Sequence, residues 1–346
     1  MNTDILFSKS PLTNRFRTKS VSDYIDSYLE NATSLNIATG YITDESIVML
    51  RRLVEFRKHE MNLSLLIGMN YIEGFTKLQY NAVLDLDKYL KERQLGNVFV
   101  CPNVLFHGKM YSFMKDASCL GAFIGSSNLG SFMGTARNYI EADVYFGAEL
   151  GIQINERIIS LTQAIGKPAN DADKILDFIE PAGLLDGYEH VKKLSVAECI
   201  SMCSNASDIR VAIPLKTYQK SHLNTYFGAG KIPGRFSRRD YYEVEIIISK
   251  EQKDFDLIPG IDKSKFTVVT KDGYKFECSR QGDYGKNLRS VHDLKILGKW
   301  IKGQMVNSGA LNLGDRVTDE TLEKFGKRNI VLTQSIDKTY WILELQ

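Results

Sequence analysis

The sequence predicts an α/β layered domain followed by a mostly β barrel or pseudobarrel domain. Three observations carry this. Strand and helix patterns alternate through the first half. After about residue 207 the apolar runs turn short and β-rich, with few helical stretches. Between them, "KPANDADKILDFIEPAGLLDGYEH" mixes prolines, glycines and acids, as a boundary does. A chain of 346 residues suits two domains better than one. The boundaries expected are 1–170 for the first domain, 171–189 for a linker and 190–346 for the second.

In chain order, "VSDYIDSYLEN" reads as an amphipathic helix, and "SLNIATGYIT" as a strand leaving its sheet at Gly40. "DESIVMLRRLVEFRKHE" is a helix with an acidic start and a basic end, as the macrodipole favours. "NLSLLIGMN" is a short buried strand and "TKLQYNAVLDLDKYLKERQ" a helix. "NVFVCP" is a strand, and "VLFHGKMYSF" follows it as another, oddly carrying a histidine and a lysine in an apolar run. "SCLGAFIGSSNLG" is a strand breaking into a Gly/Ser/Asn turn, "NYIEADVYFG" a strand, and "NERIISLTQAIG" a helix. In the second half, "DIRVAIPL", "YYEVEIIIS", "KFTVVTKDGYKFECSRQ", "NIVLTQS" and "TYWILEL" are β-rich runs, with "TKDG" a hairpin turn. "KILGKWIKGQMVN" and "TDETLEKFG" are helical, the second opening on a Thr/Asp cap followed by Glu. The second half does not repeat the first.

Composition narrows the class without naming a partner. The chain is 43% hydrophobic and 25% charged, enough apolar material for two cores. Its net charge of +2 does not by itself argue for nucleic acid. Cys101, Cys119, Cys199, Cys203 and Cys278 are odd in number and form no CxxC pair, which fits free thiols in a reducing cytoplasm. No signal-peptide core and no run of membrane-spanning length is seen, so a soluble, cytoplasmic protein is expected, with no membrane partner.

His107 and Lys109 are two apart, which on a strand puts both side chains on one face. "GSSN" sets Ser126 and Asn128 at a strand end, and "NYIE" supplies Asn138 and Glu141 at the start of the next strand. Such a set suits phosphodiester transfer. An imidazole can attack phosphorus and form a phosphohistidine. Lys109 and Asn128 can donate to the non-bridging oxygens, Ser126 can add a hydrogen bond, and Glu141 can orient the imidazole. No metal and no cofactor is needed, because the lysine supplies the positive charge. A lone His-x-Lys also fits a hydrogen-bonded core histidine; three motifs at successive strand edges are far more specific.

These motifs resemble the phospholipase D superfamily signature, His-x-Lys followed by Gly-Ser-x-Asn and a glutamate. The aspartate usual in that family would fall at Met114, with Asp116 nearby, a departure that counts against the lipid-acting members. The resemblance implies an active site built from two such motifs, one histidine attacking and the other protonating the leaving oxygen. "EHVKK", His190 to Lys192, is a second His-x-Lys on paper, but it is polar and no Gly-Ser-x-Asn follows. One good copy per chain then implies a symmetric homodimer with a shared site.

Two basic-polar stretches mark the second half. "KIPGRFSRRDYYEVE" carries Lys231, Arg235, Ser237, Arg238, Arg239 and Asp240. "YKFECSRQGDYGKNLRS" carries Arg280, Gln281, Asp283, Tyr284, Lys286, Asn287 and Arg289. These residue types read base edges and hold phosphates, although solvated loops would look alike. Residues 205–346 resemble the DNA-binding pseudobarrel of certain restriction endonucleases, related to that of plant transcription factors, which grips the major groove with two β-arms. The two stretches fall where the arms would lie. Both halves together are similar to phospholipase D-type restriction endonucleases. The resemblance implies a metal-independent, sequence-specific enzyme acting on double-stranded DNA, and admits a separately encoded NTPase and a cognate methyltransferase as companions. A non-specific phosphodiesterase, a DNA-binding regulator with an inactive catalytic domain, and a toxin of the same superfamily stay open as other readings.

Overall fold

Alternating strands and helices in the first half assemble into one mixed sheet. The computed structural model describes residues 3–7, 21–55, 59–133, 140–173, 175, 178–179, 183–228, 239–252 and 254–346. It divides into two compact units, Met1–Pro181 and Ala182–Gln346. Among the described residues, no helix is long and apolar enough to cross a membrane.

The first unit holds β1 (Thr3–Phe7), α1 (Val21–Asn31), β2 (Ser34–Thr39), α2 (Asp44–Glu55), β3 (Asn62–Ile67), α3 (Asn70–Glu73), α4 (Lys77–Glu92), β4 (Gly96–Val100), β5 (Met110–Lys115), β6 (Ser118–Gly125), α5 (Leu129–Phe132), β7 (Ala142–Phe146), α6 (Ala148–Ile165) and β8 (Lys167–Pro168). The sheet order is β1-β7-β6-β5-β2-β3-β4-β8. β2, β3 and β4 run parallel, and β5, β6, β7 and β1 extend the sheet antiparallel. The ends of β2 and β3 are continuously buried, through Ile37, Ala38, Leu65, Leu66 and Ile67, as strands covered on both faces are. On α6, Ile154 and Ile158 pack with Ala122, Met114 and Cys119. Asn155 of the same helix accepts hydrogen bonds from Asn36 (2.7 Å) and Ser112 (2.8 Å). A capping box between Thr76 and Gln79 starts α4.

The expected strand over residues 104–113 begins only at Met110. Residues 104–109 cross the ends of neighbouring strands instead of running beside one, so they cannot join the ladder. The helix expected from residue 155 starts already at Ala148.

The second unit holds β9 (Lys192–Lys193), α7 (Val196–Ser204), β10 (Ala206–Pro214), β11 (Ile246–Ile247), β12 (Lys265–Thr270), β13 (Tyr274–Gln281), β14 (Asn287–Ser290), α8 (Lys295–Asn307), α9 (Asp319–Phe325), β15 (Asn329–Ser335) and β16 (Trp341–Leu345). Its strands follow the order β10-β15-β16-β12-β13-β14-β11, an open, curled half-barrel in which, among the described residues, only the β12–β16 pair is parallel. Gly273, at φ +90°, makes the predicted hairpin turn between β12 and β13. The run "YYEVEIIIS" pairs over Ile246–Ile247 alone, while Tyr241, Tyr242, Val244, Ile246 and Ile248 fill the core. Helix α7, which carries both Cys199 and Cys203, was not expected from periodicity, although Ser195 and Glu198 form a capping box that the text "SVAE" announces. At α9 the box closes between Thr318 and Thr321, not onto the glutamate.

Helix α8 plugs the curled sheet. A Cβ on Gly298 would lie 1.8 Å from the Tyr242 carbonyl oxygen, so only glycine permits this approach. Lys302, fully buried, donates to the Tyr241 carbonyl at 2.5 Å and sits 4.3 Å over the Tyr241 ring. Burial lowers its pKa to about 7, against the opposing pull of Asp240. The unfolded chain keeps that proton to about 10.5, so between these values the unfolded state binds more protons and stability rises with pH. Lys302→Met should remove this increment. Urea unfolding read by Trp300 and Trp341, the chain's two tryptophans and both in this unit, should show wild type gaining on the variant from pH 7 to pH 10.

Candidate active site

Two glycines at the ends of parallel strands seat the segment that carries the histidine. Phe106 N–H donates to the Gly68 carbonyl (3.2 Å) just beyond β3, and a Cβ on Gly68 would lie 2.0 Å from the Phe106 oxygen. A Cβ on Gly40, just beyond β2, would come within 3.2 Å of His107 Cδ2. The imidazole is exposed and meets the Tyr41 ring edge-on, with centroids 5.6 Å apart. Tyr41 is in turn fixed by its backbone N–H to Asn128 Oδ1 (3.1 Å) and its hydroxyl to Glu73 (2.5 Å).

Lys109 is 6% exposed. Its Nζ donates to the His107 carbonyl at 2.7 Å and lies 3.0 Å from His107 Nε2. An ammonium has only donors, so this second contact requires the lone pair on Nε2 and the ring proton on Nδ1. Burial holds the Lys109 pKa below the ordinary lysine value, and Glu141 pulls it back up.

The Gly-Ser-Ser-Asn turn is gripped at its middle residue. Ser127, fully buried, donates to Asp143 through Oγ (2.5 Å) and N–H (3.2 Å), and its carbonyl accepts from the Tyr111 hydroxyl (2.7 Å). Burial raises the Asp143 pKa, and the bonds from Ser127 oppose the rise. With Ser127 held inward, Ser126 and Asn128 on either side lie at the surface of the turn. Ser126 Oγ donates to Glu141 (2.5 Å) and accepts from Ala142 N–H (3.1 Å). Ser131 donates to the other Glu141 oxygen (3.1 Å).

The structure thus brings His107, Lys109 and Asn128 together around Tyr41, with Ser126 and Glu141 as a second pair. The hydrogen bonds seen for Glu141 run to serines, not to the imidazole it was expected to orient. It heads β7, whose register sets Asp143 against Gly125, and this aims the carboxylate at the turn after β6. Asn138 lies outside the described residues. Tyr41, Ser127 and Asp143 were missed, because nothing in a strand pattern marks a residue that acts from beneath a loop.

In the second unit, Lys231, Arg235, Ser237 and Arg238 lie outside the described residues. Arg239 is 3.7 Å from Glu245. Asp240 is buried and pairs with Lys295 (3.6 Å), so it anchors its stretch instead of presenting a carboxylate. The second stretch is the β13–β14 connection. Gln281 stands opposite Asn287, and Ser279, itself buried, opposite Arg289. Tyr284 is 72% exposed at φ +56°, with Lys250 Nζ 4.3 Å over its ring, and Lys286 is 3.7 Å from Asp283.

Arg280 departs from its expected role at a base edge. It is fully buried, with Nε donating to Gly285 O (2.5 Å) and Nη1 to Phe255 O (3.0 Å) and Ile258 O (2.8 Å). The alternation that faces Phe276 and Cys278 inward carries Arg280 with them, so it fastens the connection from behind.

Comparison with known proteins agrees with this division. The model of the NgoFVII restriction endonuclease N-terminal phospholipase D domain matches residues 19–163. That of the NgoFVII C-terminal B3-like DNA-binding domain matches residues 201–336. No curated protein matches the chain. Among solved structures, the chain is similar to Nuc, a phospholipase D family member from Salmonella typhimurium, at 12% identity over 48% of this chain and 97% of that one (TM-score 0.32). It is also similar to NucT from Helicobacter pylori at 16% identity, over 47% and 96% (TM-score 0.31).

Gly68→Ala should force the histidine-bearing segment off its seat. The expected cost is roughly 1–3 kcal/mol of stability, with a changed NMR chemical shift of the His107 ring as it leaves Lys109. Arg280→Ala leaves three carbonyls without their donor, each a cost of about 1–3 kcal/mol, and should destabilise the second unit, read by tryptophan fluorescence in urea.

Proposed function

Because the chain belongs to the NgoFVII restriction endonuclease family, a DNA endonuclease with a phospholipase D half and a B3-like half, we propose that it cuts DNA at a defined sequence through a phosphohistidine. The observation that carries this reading is the 3.0 Å contact from Lys109 Nζ to His107 Nε2. It sets the ring proton on Nδ1 and the lone pair on Nε2, the atom that would meet phosphorus once Lys109 turns to the substrate. Attack forms the Nε2–P bond and breaks the bond from phosphorus to the leaving oxygen, which takes a proton from an acid on the opposite side. Water then adds to phosphorus and the N–P bond breaks. Lys109 turns to the non-bridging oxygens as charge builds there, joined by Asn128. The buried ammonium supplies the positive charge, so the reaction as proposed uses no metal and no cofactor. Ser126 and Glu141 shape the rim of the site.

The acid is His107 of a second copy. One histidine cannot stand on both sides of the same phosphorus, and the chain's other His-x-Lys is engaged in the second unit. There His190 stacks on His292 with centroids 4.1 Å apart, and Lys192 pairs with Glu198 at 3.0 Å. Val104, Leu105 and Ile140, at 46, 55 and 55% exposure, border His107 and Glu141 in sequence and give a partner an apolar rim to cover. In this reading residues 1–170 cut, 171–189 link and 190–346 choose the site.

Digestion of a sequenced DNA in EDTA, with the ends mapped, tests the proposal. Discrete ends are expected from wild type and none from His107→Ala, which should still bind. A smear, or cutting that EDTA abolishes, overturns it. Sedimentation should give twice the monomer mass; a monomer that cuts overturns the shared site. Since burial lowers the Lys109 pKa and its charge is lost as pH rises, activity should fall on the alkaline side before pH 10.5.

A further inference from the structure

Glu245 stands between arginines of the two basic-polar stretches. The register that pairs Ile246 with Leu288 carries on to set Glu245 opposite Arg289. One carboxylate oxygen lies 3.8 Å from Arg289 Nη1, the other 3.7 Å from Arg239 Nη1. The backbone beneath is fixed, because Glu245 N–H donates to the His222 carbonyl (3.2 Å) and Val244 and Ile246 on either side are buried. The Glu245 side chain is 23% exposed, less than those of Arg239 and Arg289 at 40% and 32%. Arg289 lines a concavity of about 380 Å³ with Lys265, Gln281 and His292, on the face of the sheet turned away from the core.

An arginine on a DNA-facing surface has two competing partners. Phosphate takes it anywhere, whereas a guanine edge takes two N–H groups in one geometry. A guanidinium has five donors, so Arg289, in contact with Glu245 through one Nη, keeps enough for a bidentate bond. A partly buried carboxylate limits the rotamers of both arginines in advance and offsets part of their charge, which weakens their pull on phosphate more than their fit to a base. We propose that Glu245 is a positioning residue for sequence specificity: it presents Arg239 and Arg289 to base edges and withholds them from the phosphate backbone. This rests on the reading of the protein as a sequence-specific nuclease.

The test uses the full-length protein carrying Glu245→Gln, which keeps the shape and removes the charge, with its fold checked by tryptophan fluorescence. Two quantities are measured: the cleavage rate at the mapped site against sites one base pair different, and the affinity and salt dependence of binding to a random duplex. Discrimination should fall roughly tenfold, the scale of one arginine–base contact. Binding to random DNA should tighten several-fold, with a salt slope steeper by about one as freed guanidinium meets phosphate. In an Arg289→Ala background the effect of Glu245→Gln on discrimination should shrink, because the two act as a pair. Equal weakening on all duplexes, unchanged discrimination, or an undiminished effect in the Arg289→Ala background overturns the inference alone. A wild type with no preference among duplexes overturns the specificity reading and the inference with it.

Discussion

The site in the first unit depends on one close approach, the passage of residues 104–109 over the ends of β2 and β3. Backbone meets backbone at Gly68 against Phe106, and the His107 ring lies against Gly40. Without side chains at those two positions the segment lies flat, and its histidine and lysine fold back on each other. Lys109 then satisfies itself on the carbonyl and ring of His107, which is how an ammonium can stay buried in an apolar strand end. The exposed imidazole and the buried ammonium form one unit, and the turn after β6 is brought to it through Tyr41 and Asn128.

Beneath each working surface lies a charged or polar group that holds instead of reacting. Asp143 holds Ser127, so that Ser126 and Asn128 come to the surface. Arg280 gathers three carbonyls behind the β13–β14 connection, and Lys295 holds Asp240 near the base of the first stretch. Burying such groups is costly unless they find partners; Asp143 and Lys295 do, while Arg280 spends Nε and Nη1 on carbonyls and leaves Nη2 buried without a hydrogen-bond partner among the described residues. What this secures is geometry: Ser126 and Asn128 on either side of Ser127, and Gln281 beside Arg280, are held at set positions. The same logic makes Glu245 more than a surface acid, since it touches both arginine-bearing stretches from a fixed backbone.

The two halves also differ in how their cores are closed. In the first, helices cover a mixed sheet in which β2, β3 and β4 run parallel. In the second, the sheet curls around α8, whose buried face includes Trp300, Ile301, Met305 and the lysine at 302. Trp300 reaches Asp272 in the hairpin turn (2.9 Å), so the plug also ties down the turn between β12 and β13.

The sequence by itself determined the order of elements and the identity of the chemical groups. Helices such as Val21–Asn31 and Lys295–Asn307 stand where their periodicity put them, because local hydrophobic spacing and caps decide a helix. His107, Lys109, Ser126, Asn128 and Glu141 were legible because their spacing is a motif, and the resemblance to phospholipase D and to the DNA-binding pseudobarrel followed from such text. Even the inward turn of Arg280 was written in the alternation of β13, although its basic neighbours drew the eye to the surface. What only the tertiary structure decided is who faces whom. That residues 104–109 leave the ladder, that Glu141 serves serines, and that Glu245 lies between Arg239 and Arg289 depend on contacts between segments far apart in the chain. Local pattern says nothing of such contacts, since they are set by how strand ends and loops pack once the sheet is formed.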